Sequence, residues 1–115
     1  MSEPAAHDKQ ADSEKLLREC DILEAEIAAL RARYEQYFLG IERAKPTVAH
    51  NALKRKMEKL TSVLAKTTVV RWRIQNLHHK WRSYERLWSR TSQEMENGTY
   101  HRDLFKARLH AKNKT

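Results

Sequence analysis

From Leu16 onward, apolar or aromatic residues recur at Leu16, Cys20, Leu23, Ile27, Leu30, Tyr34, Tyr37 and Ile41, in alternating steps of four and three. This is the heptad of a coiled coil, because a 3.5-residue repeat keeps one seam of a helix facing its neighbour. Asp12 or Ser13 can cap the start, and Gly40 accepts the left-handed conformation that closes a helix. The pattern predicts a first helix over 12–40. Pro46 blocks direct continuation and Thr47 can open a second helix. A loop this short joins antiparallel helices.

The second series runs Leu53, Met57, Leu60, Leu64 and Thr67, slips at Val70, and resumes with Ile74, Leu77, Trp81, Tyr84, Trp88, Thr91 and Met95. Two consecutive steps of three around Thr67 amount to a stammer, which overwinds a coiled coil. The β-branched run Thr67, Thr68, Val69 and Val70 lowers helix propensity at the same place, so a bend or a change of packing partner is expected there. Asn97 and Gly98 form the stop signal. Thr99 can cap a short helix carrying Tyr100, Leu104, Phe105 and Leu109. The expected fold is all-α: an antiparallel coiled-coil hairpin with a long second helix (47–97) and a short C-terminal helix (99–111), making one domain over 12–115. Residues 1–11, "MSEPAAHDKQA", lack apolar periodicity and read as a disordered tail.

Helix length has a consequence. At 1.5 Å per residue the first helix spans about 40 Å and the second about 75 Å, so a hairpin leaves half of helix two uncovered. That half carries Ile74, Leu77, Trp81, Tyr84 and Trp88, each large side chain contributing roughly 1.5–3 kcal/mol when buried. A third helix of about 18 Å is too short to cover it. A second copy of the chain is the expected cover, a homo-oligomer with a dimer as first choice and these five residues as its interface.

Composition supports the helical assignment. With two Gly and two Pro in 115 residues there are few turn signals for a sheet. Cys20, the only cysteine, cannot form an internal disulfide, and no apolar stretch is long enough for a signal peptide or a membrane span. The expected compartment is the cytoplasm. The net charge is +8. Residues 1–39 hold five Lys or Arg against nine Asp or Glu, a net of −4, and residues 40–115 hold eighteen against six, a net of +12. Acidic and basic segments lying side by side neutralise part of this excess, and the remainder suits an acidic partner.

The basic and aromatic residues concentrate in "RWRIQNLHHKWRSYERLWSR", residues 71–90, where Glu85 is the single acid. At about 100° per residue, Trp81, Tyr84 and Trp88 share a face with Val70, Ile74 and Leu77, a core position rather than a ligand site. Arg71, Arg82, Arg86, Arg90 and His79 lie on the flanks and far side, where an ordinary solvated face is the simplest explanation. Trp72 falls opposite the core. It can stack on a base or pair with guanidinium groups, or it can pack beneath the third helix.

Catalytic chemistry has little support. There is no glycine-rich phosphate loop, and Cys20 occupies a core position where a thiol is inert. His78 and His79 point about 100° apart on a helix, a poor chelating pair, and His101 and His110 are too far apart in sequence for ligands one turn from each other. The recurring Glu19, Asp21, Glu24 and Glu26 fit a solvated face or interhelical pairing. No catalytic residue, metal or cofactor is expected.

Three stretches, "LRARYEQYFLGIER" (30–43), "YERLW" (84–88) and "ENGTYHRDLFKARLH" (96–110), resemble a myxobacterial-type bacterial helical domain of unknown function, over about residues 30–110. The resemblance implies a bacterial cytoplasmic module and carries no active-site motif. Two functions follow from the residues. The first is a non-enzymatic structural or adaptor protein that self-associates through helical packing and presents a basic surface to an acidic protein partner. The alternative is a nucleic-acid binder, using Arg71, Trp72, Arg82, Arg86 and Arg90 with Arg102, Lys106, Arg108 and Lys112 of the C-terminal segment. A membrane role is disfavoured, because the basic helix has no free apolar face once its core is buried.

Overall fold

The computed structural model describes the backbone of residues 4–98, 100 and 108–109, and the side chains of that set from residue 12 onward. The described residues are helical, with α1 at Pro4–Phe38, α2 at Thr47–Thr61 and α3 at Thr68–Glu96, and no strand among them. The chain direction follows from the side chains that meet. Tyr34 bonds His50 and Glu26 bonds Lys56, so α2 runs back along α1. Arg73 meets Asp21, Tyr84 meets Arg31 and Trp88 stacks on Tyr34, so α3 runs forward along α1. The result is an up-down-up bundle of three helices.

The heptad of α1 is its core stripe. Cys20, Leu23, Ile27, Leu30 and Tyr34 are buried, with Leu16 and Tyr37 packed at the edges. α2 adds Leu53, Met57 and Leu60, and α3 adds Val70, Ile74, Leu77, Trp81 and Trp88. Gly40 and Gly98 take positive φ of 82° and 71° just beyond the ends of α1 and α3, the left-handed closure that glycine permits without steric cost. Ile41, placed in the heptad by spacing alone, lies beyond that closure and is exposed.

Three expectations need correction. The second helix is not continuous over 47–97: it stops at Thr61, and the chain reverses through 62–67. The Thr61 and Ser62 hydroxyls donate to the carbonyls of Glu58 and Lys59 at 3.0 and 2.7 Å, satisfying the end of α2. Thr67 then accepts from the Val70 N–H at 3.3 Å as the N-cap of α3. Leu64, assigned to the core by spacing, sits in this turn and is 93% exposed. The second correction follows from the first. Because α3 folds back onto α1, Ile74, Leu77, Trp81 and Trp88 are buried within one chain and Tyr84 is packed against the same core. The stripe assigned to an oligomer interface is intramolecular core. Third, α1 begins at Pro4 rather than near Asp12, so part of the segment read as a tail has helical backbone. Most of the expected helix 99–111, including Arg102 and Lys106, lies outside the described residues.

Candidate interaction surface

Cations on the inner edges of the bundle are neutralised. Arg73 bonds Asp21 at 3.1 Å and also Glu24, Lys80 bonds Glu24 at 3.0 Å, and Lys56 bonds Glu26 at 2.9 Å. The Lys80 and Arg73 hydrogen bonds hold the Glu24 carboxyl below its ordinary range. Arg31 pairs with Glu35 at 3.1 Å, donates to the Tyr84 hydroxyl at 3.2 Å and lies over its ring. Acidic α1 and basic α3 thus meet along one seam, as their unequal charges imply.

The outer face of α3 differs. Arg71, Arg82, Arg86 and Arg90 are all exposed, and among the described residues none makes an ion pair. Trp72 is 65% exposed beside Arg71, and exposed His79 follows two turns later. Val69, Val63 and Leu64 are further exposed apolar side chains near the α2–α3 turn. Arg108 is exposed and has helical backbone.

A polar network threads the α2–α3 seam. The Glu85 carboxylate can only accept, so His50 Nε2, 2.9 Å away, carries a proton. In the neutral imidazole Nδ1 then accepts from the Tyr34 hydroxyl at 2.7 Å. Burial first, with the nearby Glu85 and Tyr37 charges, pushes the Tyr34 hydroxyl up to about 12, in keeping with a donor role. Aromatic rings enclose this network: the Trp81 and Trp88 ring centroids lie 5.3 and 5.8 Å from that of His50. Tyr34 stacks on Trp88 at 4.3 Å. Sequence spacing gives no link between His50 and Glu85, which lie on different helices. The signal that was present is the isolation of Glu85 as the sole acid among the cations of 71–90.

Cys20 is fully buried, and burial pushes its thiol up, away from the reactive thiolate. Among the described residues no group of three or more His, Cys, Asp or Glu is placed to hold a metal ion, and no helix is long and apolar enough to cross a membrane. No family model, curated protein or solved structure matches the chain.

Proposed function

We propose that the protein is a non-enzymatic adaptor, a helical bundle that offers the outer face of α3 as a cationic surface to an acidic protein partner. The division of the cations supports this. Lys56, Arg73 and Lys80, turned toward α1, have carboxylate partners, whereas Arg71, Arg82, Arg86 and Arg90, turned outward, have none among the described residues. Such a row steers acidic surfaces toward it and sets the register of docking. Self-association through the aromatic stripe is not part of the proposal, since that stripe is covered within one chain.

The test is binding of a polyglutamate peptide to the full chain at two salt concentrations. Binding should weaken with salt and fall at least severalfold when Arg82 and Arg86 are both changed to Gln. Absence of binding even at low salt would remove the proposal. Nucleic acid is the second possibility, favoured by one observation, the exposure of Trp72 beside Arg71. If it holds, Trp72→Ala should weaken single-stranded DNA binding by roughly 1–3 kcal/mol of stacking, and affinity should fall steeply with salt.

A further inference from the structure

An acidic partner meeting a row of solvated guanidinium groups gains attraction but little selectivity, and one groove on this face offers more. It has a volume of about 650 Å³ and lies between the start of α2 and the C-terminal half of α3. Arg82, Arg86, Ser89 and Gln93 line it at steps of four, three and four, which place them on one side of α3. Lys45 reaches it from the loop before α2. All five can donate hydrogen bonds.

Among the described residues two acids share the groove. Glu85 is the intrahelical neighbour best placed to neutralise Arg82, three residues before it, but its carboxylate is turned to His50 at 2.9 Å. Glu96 lies a further ten residues along α3 from Arg86. Among the described residues Arg82 and Arg86, one turn apart, are therefore left without a carboxylate. His50 has both ring nitrogens engaged, so it acts here as a positioning residue that draws Glu85 away from them.

Ser92 supplies an independent observation. It is only 5% exposed, it lines this groove, and its Oγ is buried without a hydrogen-bond partner among the described residues. Buried hydroxyls without partners are few in native folds, and each calls for an explanation. A hydroxyl rotor can turn its proton toward an incoming acceptor. The start of α2 adds to the field: Pro46 gives no side-chain cap and the first turn holds no acid, so the positive end of the helix is uncompensated beside Lys45.

We propose that this groove is an oxyanion site that takes a carboxylate or phosphate monoester group, with Arg82, Arg86 and Lys45 supplying charge and Ser92 the buried donor. The proposal rests on the acidic-partner reading and names where the partner's anionic group docks. Two guanidinium forks one turn apart suit a planar or tetrahedral oxyanion, which accepts paired N–H bonds.

The experiment titrates the full chain, followed by NMR, with inorganic phosphate and separately with glutarate, chloride holding the ionic strength constant. Saturable shifts at Arg82, Arg86, Ser92 and the His50 ring are expected, and the anion that saturates at lower concentration identifies the preferred chemistry. Arg86→Gln and Ser92→Ala should each weaken binding about fivefold or more, while Arg55→Gln, an exposed cation of α2 outside the groove, leaves it unchanged. Ser92→Ala removes a hydroxyl that has no partner, so its melting temperature should match or exceed that of the wild type. Shifts that grow without saturating, or equal weakening by Arg55→Gln, would overturn the site in favour of diffuse charge. Polyglutamate binding by the same samples separates the two proposals. If the peptide binds and small anions do not saturate, the groove fails and the surface stands; the reverse result retains the groove and removes the acidic surface.

Discussion

Toward the 62–67 turn the core of the bundle is aliphatic and sulfur-bearing, with Cys20, Leu23, Ile27, Met57, Leu60 and Val70, and charge stays at the rim, where Glu24 meets Arg73 and Lys80. Toward the 39–46 loop the core is aromatic, and the Tyr34, His50 and Glu85 network passes through it. An aliphatic seam holds helices together without choosing one alignment, because neighbouring registers bury similar area. A hydrogen-bonded triad with one member from each helix is satisfied in one alignment only, and leaving it half made is costly. One end of the bundle supplies cohesion and the other end supplies register. This division also explains why the candidate groove lies where it does, since the same network that fixes register turns Glu85 inward and leaves Arg82 and Arg86 outward.

The largest expected effect is at the aromatic end. Trp88 stacks between Tyr34 at 4.3 Å and Tyr84 at 5.4 Å and is fully enclosed. Trp88→Ala should cost about 3–5 kcal/mol, read as a lower denaturant midpoint, against about 0.5–1.5 kcal/mol for Ile27→Val at the aliphatic end. The wild-type midpoint should not depend on protein concentration, because Trp88 is buried by its own chain. A midpoint that rises with concentration would return the stripe to an intermolecular interface.

Much of this architecture was legible in the chain. The heptad from Leu16 to Tyr37 falls on the buried side of α1, and the closures at Gly40 and Gly98 lie where glycine was expected to allow them. The reversal at 62–67 was not legible as a reversal. The segment has neither Gly nor Pro, and its stop depends on Thr61 and Ser62 hydroxyls bonding carbonyls, a device that leaves the apolar rhythm intact. Thr67 was counted as a core position when it is an N-cap, although the stammer marked the right place. The exposed Arg71, Arg82, Arg86 and Arg90 were readable from a helical wheel, whereas for Trp72 the wheel gave a place opposite the core and left open whether another helix covers it. The groove was not, because Lys45 and His50 are brought to Arg82 and Ser92 only by the turn that spacing failed to reveal.

A smaller effect tests the register network. Tyr34→Phe removes the donor to His50 Nδ1 and leaves a part-buried acceptor unmatched, at a cost of about 1–3 kcal/mol. Tyr34 also gives a pH signature. Its hydroxyl ionises at about 12 when folded and near 10 when unfolded. A raised folded value means that the neutral form is favoured by folding, so this contribution is fully present below pH 10 and is lost as pH rises toward 12. Denaturation midpoints measured across that window should fall more steeply for the wild type than for Tyr34→Phe. Parallel curves would mean that Tyr34 is not held as a donor in the core.

The smallest effect belongs to the rim at the aliphatic end. Glu24 has its carboxyl held down by hydrogen bonds from Lys80 and Arg73, and the depressed folded value makes its contribution present above the ordinary value of 4.5 and lost as pH falls below it. The carboxylate is partly open to water, its side chain 41% exposed, so solvent screens the interaction. Arg73→Gln should therefore cost about 0.2–1 kcal/mol at neutral pH, a surface-pair magnitude. The variant should also lose less stability than the wild type between pH 5 and acid, because Glu24 then keeps only Lys80. If Arg73→Gln instead costs as much as Tyr34→Phe, the rim contributes to register as strongly as the aromatic network, and the contrast between the two ends of the bundle does not hold.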